Sequence, residues 1–136
     1  MNNLDLKLPP ITITSADMRR LNVLALSDAP PAESLAREID RANIVPVHQA
    51  MPGLVCMGSL VKYRENTTGQ LREVTLVYPR EADGEANRVS VLTPFGAALI
   101  GLSVGQTMEF ETPHGEKLSL TVLQVDAEQW SATAIA

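Results

Sequence analysis

The spacing of apolar residues along the chain changes character once. Up to residue 42 they recur three and four positions apart, and from Leu54 onward they follow a period of two, which separates a helical part from a sheet part. Thr14-Ser15-Ala16-Asp17 has the Thr-x-x-acid form of a capping box, with aspartate for the usual longer acid, so a helix should begin there. Met18, Leu21, Leu24 and Ala25 then fall on one face until Ser27-Asp28-Ala29-Pro30-Pro31 ends the run. This predicts a helix of about thirteen residues, or about 20 Å. Ala32 to Ala42 carries Leu35 and Ile39 four apart, with Glu33 four residues ahead of Arg37 in the favourable order, and predicts a second amphipathic helix. The short proline-containing connection makes the pair an antiparallel hairpin with a narrow apolar seam. Asn43 to Gly53, with Pro46 and Pro52, reads as a linker, and Ile11-Thr12-Ile13 as a short extended entry.

Beyond the linker, Val55, Met57, Ser59, Val61 and Tyr63 alternate with Leu54, Cys56, Gly58, Leu60 and Lys62, which predicts a strand with a bulge at Gly58. Further strands are expected at Arg72 to Tyr78, Val89 to Leu92, Thr107 to Glu111 and Lys117 to Val125, with a polar loop over Pro79 to Asn87. Between the third and fourth, Thr93 can cap a helix whose first position is Pro94, where the missing N–H costs nothing. Ala97, Ala98, Leu99 and Ile100 favour its continuation, and Gly101 and Gly105 stop it. The small residues Gly96, Ala97 and Ala98 let a sheet or a partner approach closely, and on these residues alone a packing corner and a contact surface are equally open. The expected class is therefore α+β: a helical hairpin over residues 1–50, then a mainly antiparallel sheet with one short helix over residues 51–136, with Trp130 an anchor candidate in the tail.

Composition narrows the function. The chain has 136 residues, 20% of them charged, and a net charge of −5 without a Lys/Arg run, which argues against binding a phosphate backbone or a membrane surface. One cysteine, Cys56, allows no internal disulfide, and no basic start or long apolar run suggests a signal peptide or a membrane span, so a cytoplasmic protein is expected. His48, Cys56 and His114 lack metal-ligand spacing, and no phosphate-cradling glycine motif or nucleophile triad is present, so neither a catalytic residue nor a cofactor is expected. Asp28 and Glu33, near the hairpin tip, could hold a divalent cation inside a larger active site, but acids there are more simply explained as complements to a helix N-terminus. With two tyrosines, two phenylalanines and one tryptophan, no aromatic-lined pocket for proline is expected.

Several segments together resemble one family. They are Val55-x-Met57-x-Ser59-x-Val61, Thr75-Leu76-Val77-Tyr78-Pro79 followed by Ala82-Asp83, the run Val91-Leu92-Thr93-Pro94-x-Gly96-x-Ala98-Leu99-x-Gly101-Leu102-x-Val104-Gly105, Pro113-x-Gly115 and, more weakly, Ile39-Asp40-Arg41-Ala42. In this order and spacing the chain resembles the regulators of nucleoside diphosphate kinase, bacterial relatives of the Gre transcript-cleavage factors. The resemblance implies an N-terminal antiparallel coiled coil and an FKBP-like C-terminal domain. It also implies binding to bacterial RNA polymerase near the secondary channel, with Thr93, Pro94, Phe95, Gly96, Ala97, Ala98 and Leu99 helping to form the docking surface. The expected role is a monomeric, non-enzymatic transcription regulator that competes with Gre-type factors and affects nucleoside diphosphate kinase levels indirectly. Gre hairpins are several turns longer, so stimulation of transcript cleavage through Asp28 and Glu33 is the alternative reading. Gln106 stands where the Gre pattern commonly has aspartate.

Overall fold

Thr14 is the joint between the first strand, β1 (Thr12–Thr14), and the first helix, α1 (Ser15–Ala25), in a computed structural model that describes residues 8–25, 32–46, 52–112 and 114–126. Its Oγ1 accepts the Asp17 N–H at 3.2 Å, which is one half of the expected capping box. Asp17 uses its own carboxylate elsewhere: Oδ2 accepts the Met57 N–H at 3.1 Å and pins the helix start to a distant loop. Helix α2 (Ala32–Arg41) leads into β2 (Asn43–Val45), which pairs in parallel with β1, Thr12 opposite Asn43 and Thr14 opposite Val45. The sequence reading places this segment in a linker. A strand of three residues is too short to display a period, and Ile44, at 55% exposure, gives no sign of burial. The described helices have 11 and 10 residues, or about 15–17 Å of rise. Residues 26–31, with Asp28 and the rest of the expected hairpin tip, lie outside the described residues.

The second sheet contains β3 (Leu60–Glu65), β4 (Gln70–Val77), β5 (Arg88–Ser90), β6 (Thr107–Glu111) and β7 (Lys117–Asp126), with α3 (Pro94–Leu99) between β5 and β6. Its order is β5-β4-β3-β7-β6, and every neighbouring pair is antiparallel except β4 with β5. A parallel neighbour needs a crossover. Here the loop before β5 supplies it, with 3-10 turns at Pro79–Glu81 and Gly84–Ala86 and Asn87 in the left-handed region at φ 56°.

Two expectations about β3 are corrected. Residues 54–59 are not its first half: Cys56 to Ser59 is a turn, closed by Ser59 N–H to Cys56 O (3.1 Å) and Cys56 N–H to Ser59 Oγ (2.9 Å), with Gly58 at φ 87°. Leu54, Val55 and Cys56 are all buried, whereas a strand with one exposed face would alternate. The irregularity also lies elsewhere. Against β7 the register slips between Lys62 and Tyr63, whose partners are Gln124 and Val122, so that Leu123 is the extra residue. A bulge there bends the strand and adds twist to the centre of the sheet.

One apolar cluster unites the helical pair and the curled sheet, from Ile11, Ile13, Leu21 and Leu35 through Val61 and Leu76 to Leu99, Leu102, Met108 and Leu120. The polar groups bordering it are matched. Glu38, 9% exposed, accepts the Arg41 guanidinium at 2.7 Å, and burial pushes its carboxyl above the ordinary value against the pull of that cation. Arg20 lies 5.5 Å from the centre of the Tyr78 ring, whose phenol burial pushes up to about 12.

Gly101 and Gly105 separate two costs of adding a side chain. Both have positive φ, 83° and 93°, but a Cβ on Gly101 would also stand 2.9 Å from Ile11 Cβ, whereas nothing lies within 4 Å of one on Gly105. Gly105→Ala should cost about 1–2 kcal/mol and Gly101→Ala more, as read from urea unfolding. A second prediction concerns pH. Burial raises the Asp17 carboxyl above its ordinary 3.8, so the folded state favours the protonated form, and stability is lost as pH rises through the raised value. Asp17→Asn keeps an acceptor for the Met57 N–H without the buried charge. Its stability relative to the parent should therefore be higher at neutral pH than near pH 3.8, and a pH-independent difference would contradict this origin.

Candidate partner-docking pocket

The turn before α3 is organised by the carbonyl of Ser90. That oxygen accepts the Thr93 N–H at 3.1 Å and the Thr93 hydroxyl at 2.8 Å, and Thr93 Oγ1 in turn accepts the Gly96 N–H at 2.9 Å. Thr93 is the N-cap and Pro94 opens the helix, as the sequence predicts. Gly96 is required for a different reason from flexibility: a Cβ there would overlap the Ser90 carbonyl oxygen and lie 2.8 Å from its carbon. The first turn of α3 thus rests directly on the backbone of residues 90 and 91. Ala97, Ala98 and Leu99 face inward at 3% exposure or less, which leaves Pro94 and Phe95 on the other side.

Phe95 completes an aromatic row. Its ring centre is 5.3 Å from that of Tyr63 on β3, at an interplanar angle of 53°, and 6.0 Å from that of Phe110 on β6, at 40°. These rings, with Pro94, Leu118 and Leu120, line an open pocket of about 280 Å³ whose polar margin is Glu65, Thr93, Thr112 and Ser119. Burial raises the Tyr63 phenol above its ordinary value, opposed by Arg72 and reinforced by Glu65, so the hydroxyl stays neutral at physiological pH. Arg72 Nε lies 3.8 Å from a Glu65 carboxylate oxygen at this margin. The pocket has apolar walls with a few polar atoms at the rim, which suits an inserted apolar side chain.

Composition suggests no aromatic-lined pocket for proline, yet a pocket lined by aromatic rings is present. Few rings are present, but three of them come from separate elements to one place. Of the residues singled out from the sequence, Thr93, Pro94 and Phe95 line the pocket, while Gly96, Ala97, Ala98 and Leu99 are buried beneath it and support it. Glu33 lies in the first turn of α2, and its side chain is outside the described residues, as are Asp28, His48 and Trp130. His114 is exposed, and Cys56 is buried in the turn before β3. Among the described residues no group of three His, Cys, Asp or Glu side chains is placed to hold a metal, and no helix is long and apolar enough to cross a membrane. Sequence reasoning missed Tyr63, Phe110, Leu118 and Leu120 as pocket residues. Strand parity held part of the signal, since Tyr63 shares a face with Val61 and Phe110 with Met108, but their meeting depends on strand order.

Two family models match the chain. Residues 50–127, which hold the whole pocket, match the family model for the C-terminal part of the transcription elongation factors GreA/GreB, and residues 9–45 match that for the Rnk N-terminus. The regulator of nucleoside diphosphate kinase of Escherichia coli K12 is 35% identical over 128 residues, or 91% of this chain and 94% of that protein. The chain belongs to this regulator family. The chain has the GreA/GreB type of fold: a GreA/GreB factor from Nitrosomonas europaea is 34% identical, with a TM-score of 0.66 over 86% of this chain and 98% of the other. GreA of Syntrophobacter fumaroxidans is 31% identical over 93 residues, which cover 68% of this chain and 59% of that factor. These relatives are a regulator and transcription elongation factors.

The cap and the glycine beneath the pocket should respond differently to substitution. Thr93→Ala should destabilise by about 1 kcal/mol and Thr93→Ser by less, as the hydroxyl is kept. Gly96→Ala should cost more than either because the obstacle is backbone, and a thermal melt comparing the three variants checks the order.

Proposed function

We propose that this protein is a non-enzymatic transcription regulator that binds bacterial RNA polymerase near its secondary channel, in the cytoplasm, through the pocket face around Pro94 and Phe95. The observation that carries the reading is the open row of three rings beside α3 in the part of the chain that matches the Gre factors. A partly exposed ring held between two others offers rigid apolar contact area with little rotamer freedom left to lose on binding. We read the β-sheet with α3 as FKBP-like and the α1–α2 pair as a short antiparallel coiled coil, the protein acting as a monomer. Occupying the polymerase in this way competes with Gre-type factors, and any effect on nucleoside diphosphate kinase levels follows through transcription.

Co-elution of the purified protein with bacterial core RNA polymerase tests the reading. Phe95→Ala, with its fold checked by circular dichroism, should weaken binding about thirtyfold, the scale of a buried aromatic contact worth about 2 kcal/mol. A folded variant that binds as tightly as the parent moves the docking surface elsewhere, and a parent that does not bind at all removes polymerase as the partner.

A further inference from the structure

Four polar groups converge on the short stretch of chain that leads into β1. The carbonyl of Pro9 accepts from Arg41 Nη1 at the end of α2, and that of Pro10 accepts from Gln106 Nε2 at 3.0 Å. The carbonyl of Ile11 accepts from the Asn43 N–H at 2.9 Å, and the Thr12 N–H donates to Gly101 O at 3.0 Å. The strap at residues 9–12 is thus tied on one side to the helical pair and on the other to the loop between α3 and β6. Two prolines in succession stiffen it and have no N–H to give, so their carbonyls are the backbone groups left for such ties.

The two side chains that grip the prolines are themselves fixed. Gln106 Oε1 accepts the Ser103 N–H at 2.9 Å, its backbone N–H donates to Ser103 O at 3.0 Å, and its carbonyl accepts the Val122 N–H at 3.1 Å. Arg41 also gives Glu38 two hydrogen bonds, at 3.0 and 2.7 Å, and rests against Met108 Sδ at 3.7 Å. The amide of Gln106 therefore spends its acceptor on its own loop and its donor on the strap. An aspartate at this place could cap Ser103 but has no N–H for Pro10.

We infer that Gln106 and Arg41 are positioning residues that set the direction of the α1–α2 pair relative to the aromatic pocket. The apolar cluster beneath them holds the two parts together but is non-directional, so side chains can slide against one another at little cost. Hydrogen bonds to successive carbonyls of a stiff strap are directional and select one angle. The inference concerns the free protein and stands whatever the pocket binds.

The test uses the full chain with spin labels on cysteines introduced as Val23→Cys on α1 and Leu71→Cys on β4, positions 70% and 64% exposed, while the native Cys56 stays buried. Pulsed electron resonance should give one narrow distance in the parent. Gln106→Glu keeps the acceptor for Ser103 and replaces the donor to Pro10 by a repelling oxygen, and should broaden the distribution at least about twofold. Amide exchange at Thr12 and Asn43 should speed by about tenfold while that at Val61 and Leu76 is unchanged. Arg41→Lys, read in the same way, is the independent arm, because an ammonium group cannot span Pro9 and Glu38 as the guanidinium fork does. Broadening in either variant with unchanged sheet amides supports the assignment. Unchanged widths in both overturn it, and loosening that extends to the sheet amides replaces positioning with a general contribution to stability.

Discussion

Everything around the pocket depends on how closely the first turn of α3 can lie on the carbonyl of Ser90. That oxygen is hydrogen-bonded twice by Thr93 and is the atom that forbids a side chain on residue 96. The contact sets the height of α3 above β5. Its height in turn decides whether Phe95 stands between Tyr63 and Phe110 or clear of them, since ring contacts at 5.3 and 6.0 Å tolerate little displacement. The bulge at Leu123 adds a local twist to β7, whose Leu118, Ser119 and Leu120 also line the pocket.

Burial shifts two acids among the described residues, and both are taken up in structure. Asp17 and Glu38 are both held above their ordinary values by burial, yet each is engaged in structure, Asp17 with a loop N–H and Glu38 with a guanidinium. Neither faces the pocket. The rim carboxylate that does, Glu65, lies near Arg72 at the surface, where such a pair contributes little to stability and is free to respond to a partner.

How much of this was legible in the sequence depended on the range of the interaction that decided each element. Thr93, Pro94 and the following small residues announce α3 through local chemistry, and β6 has the bounds expected of it, Thr107–Glu111. The capping threonine of α1 was legible for the same reason. The segment 54–59 misled because both of its alternating sets are apolar, so a period of two carries no information about which face is wet. The parallel direction of β5 is set by the crossover before it, and β2 exists because a distant three-residue strand lies beside it; local composition encodes neither. The pocket was hidden for a related reason. Its rings are on β3, α3 and β6, and only the order β5-β4-β3-β7-β6 with α3 over the sheet brings them together.

Among the described residues, four that fix the root of the helical pair sit at its strand-side end: Thr14 and Asp17 at the start of α1, Glu38 and Arg41 at the close of α2. Reach and aim are consequently separate variables. Adding one turn to each helix would lengthen the projection by about 5.4 Å without disturbing a single one of those bonds. The length of such a pair can therefore change while the bonds that hold its bearing stay as they are.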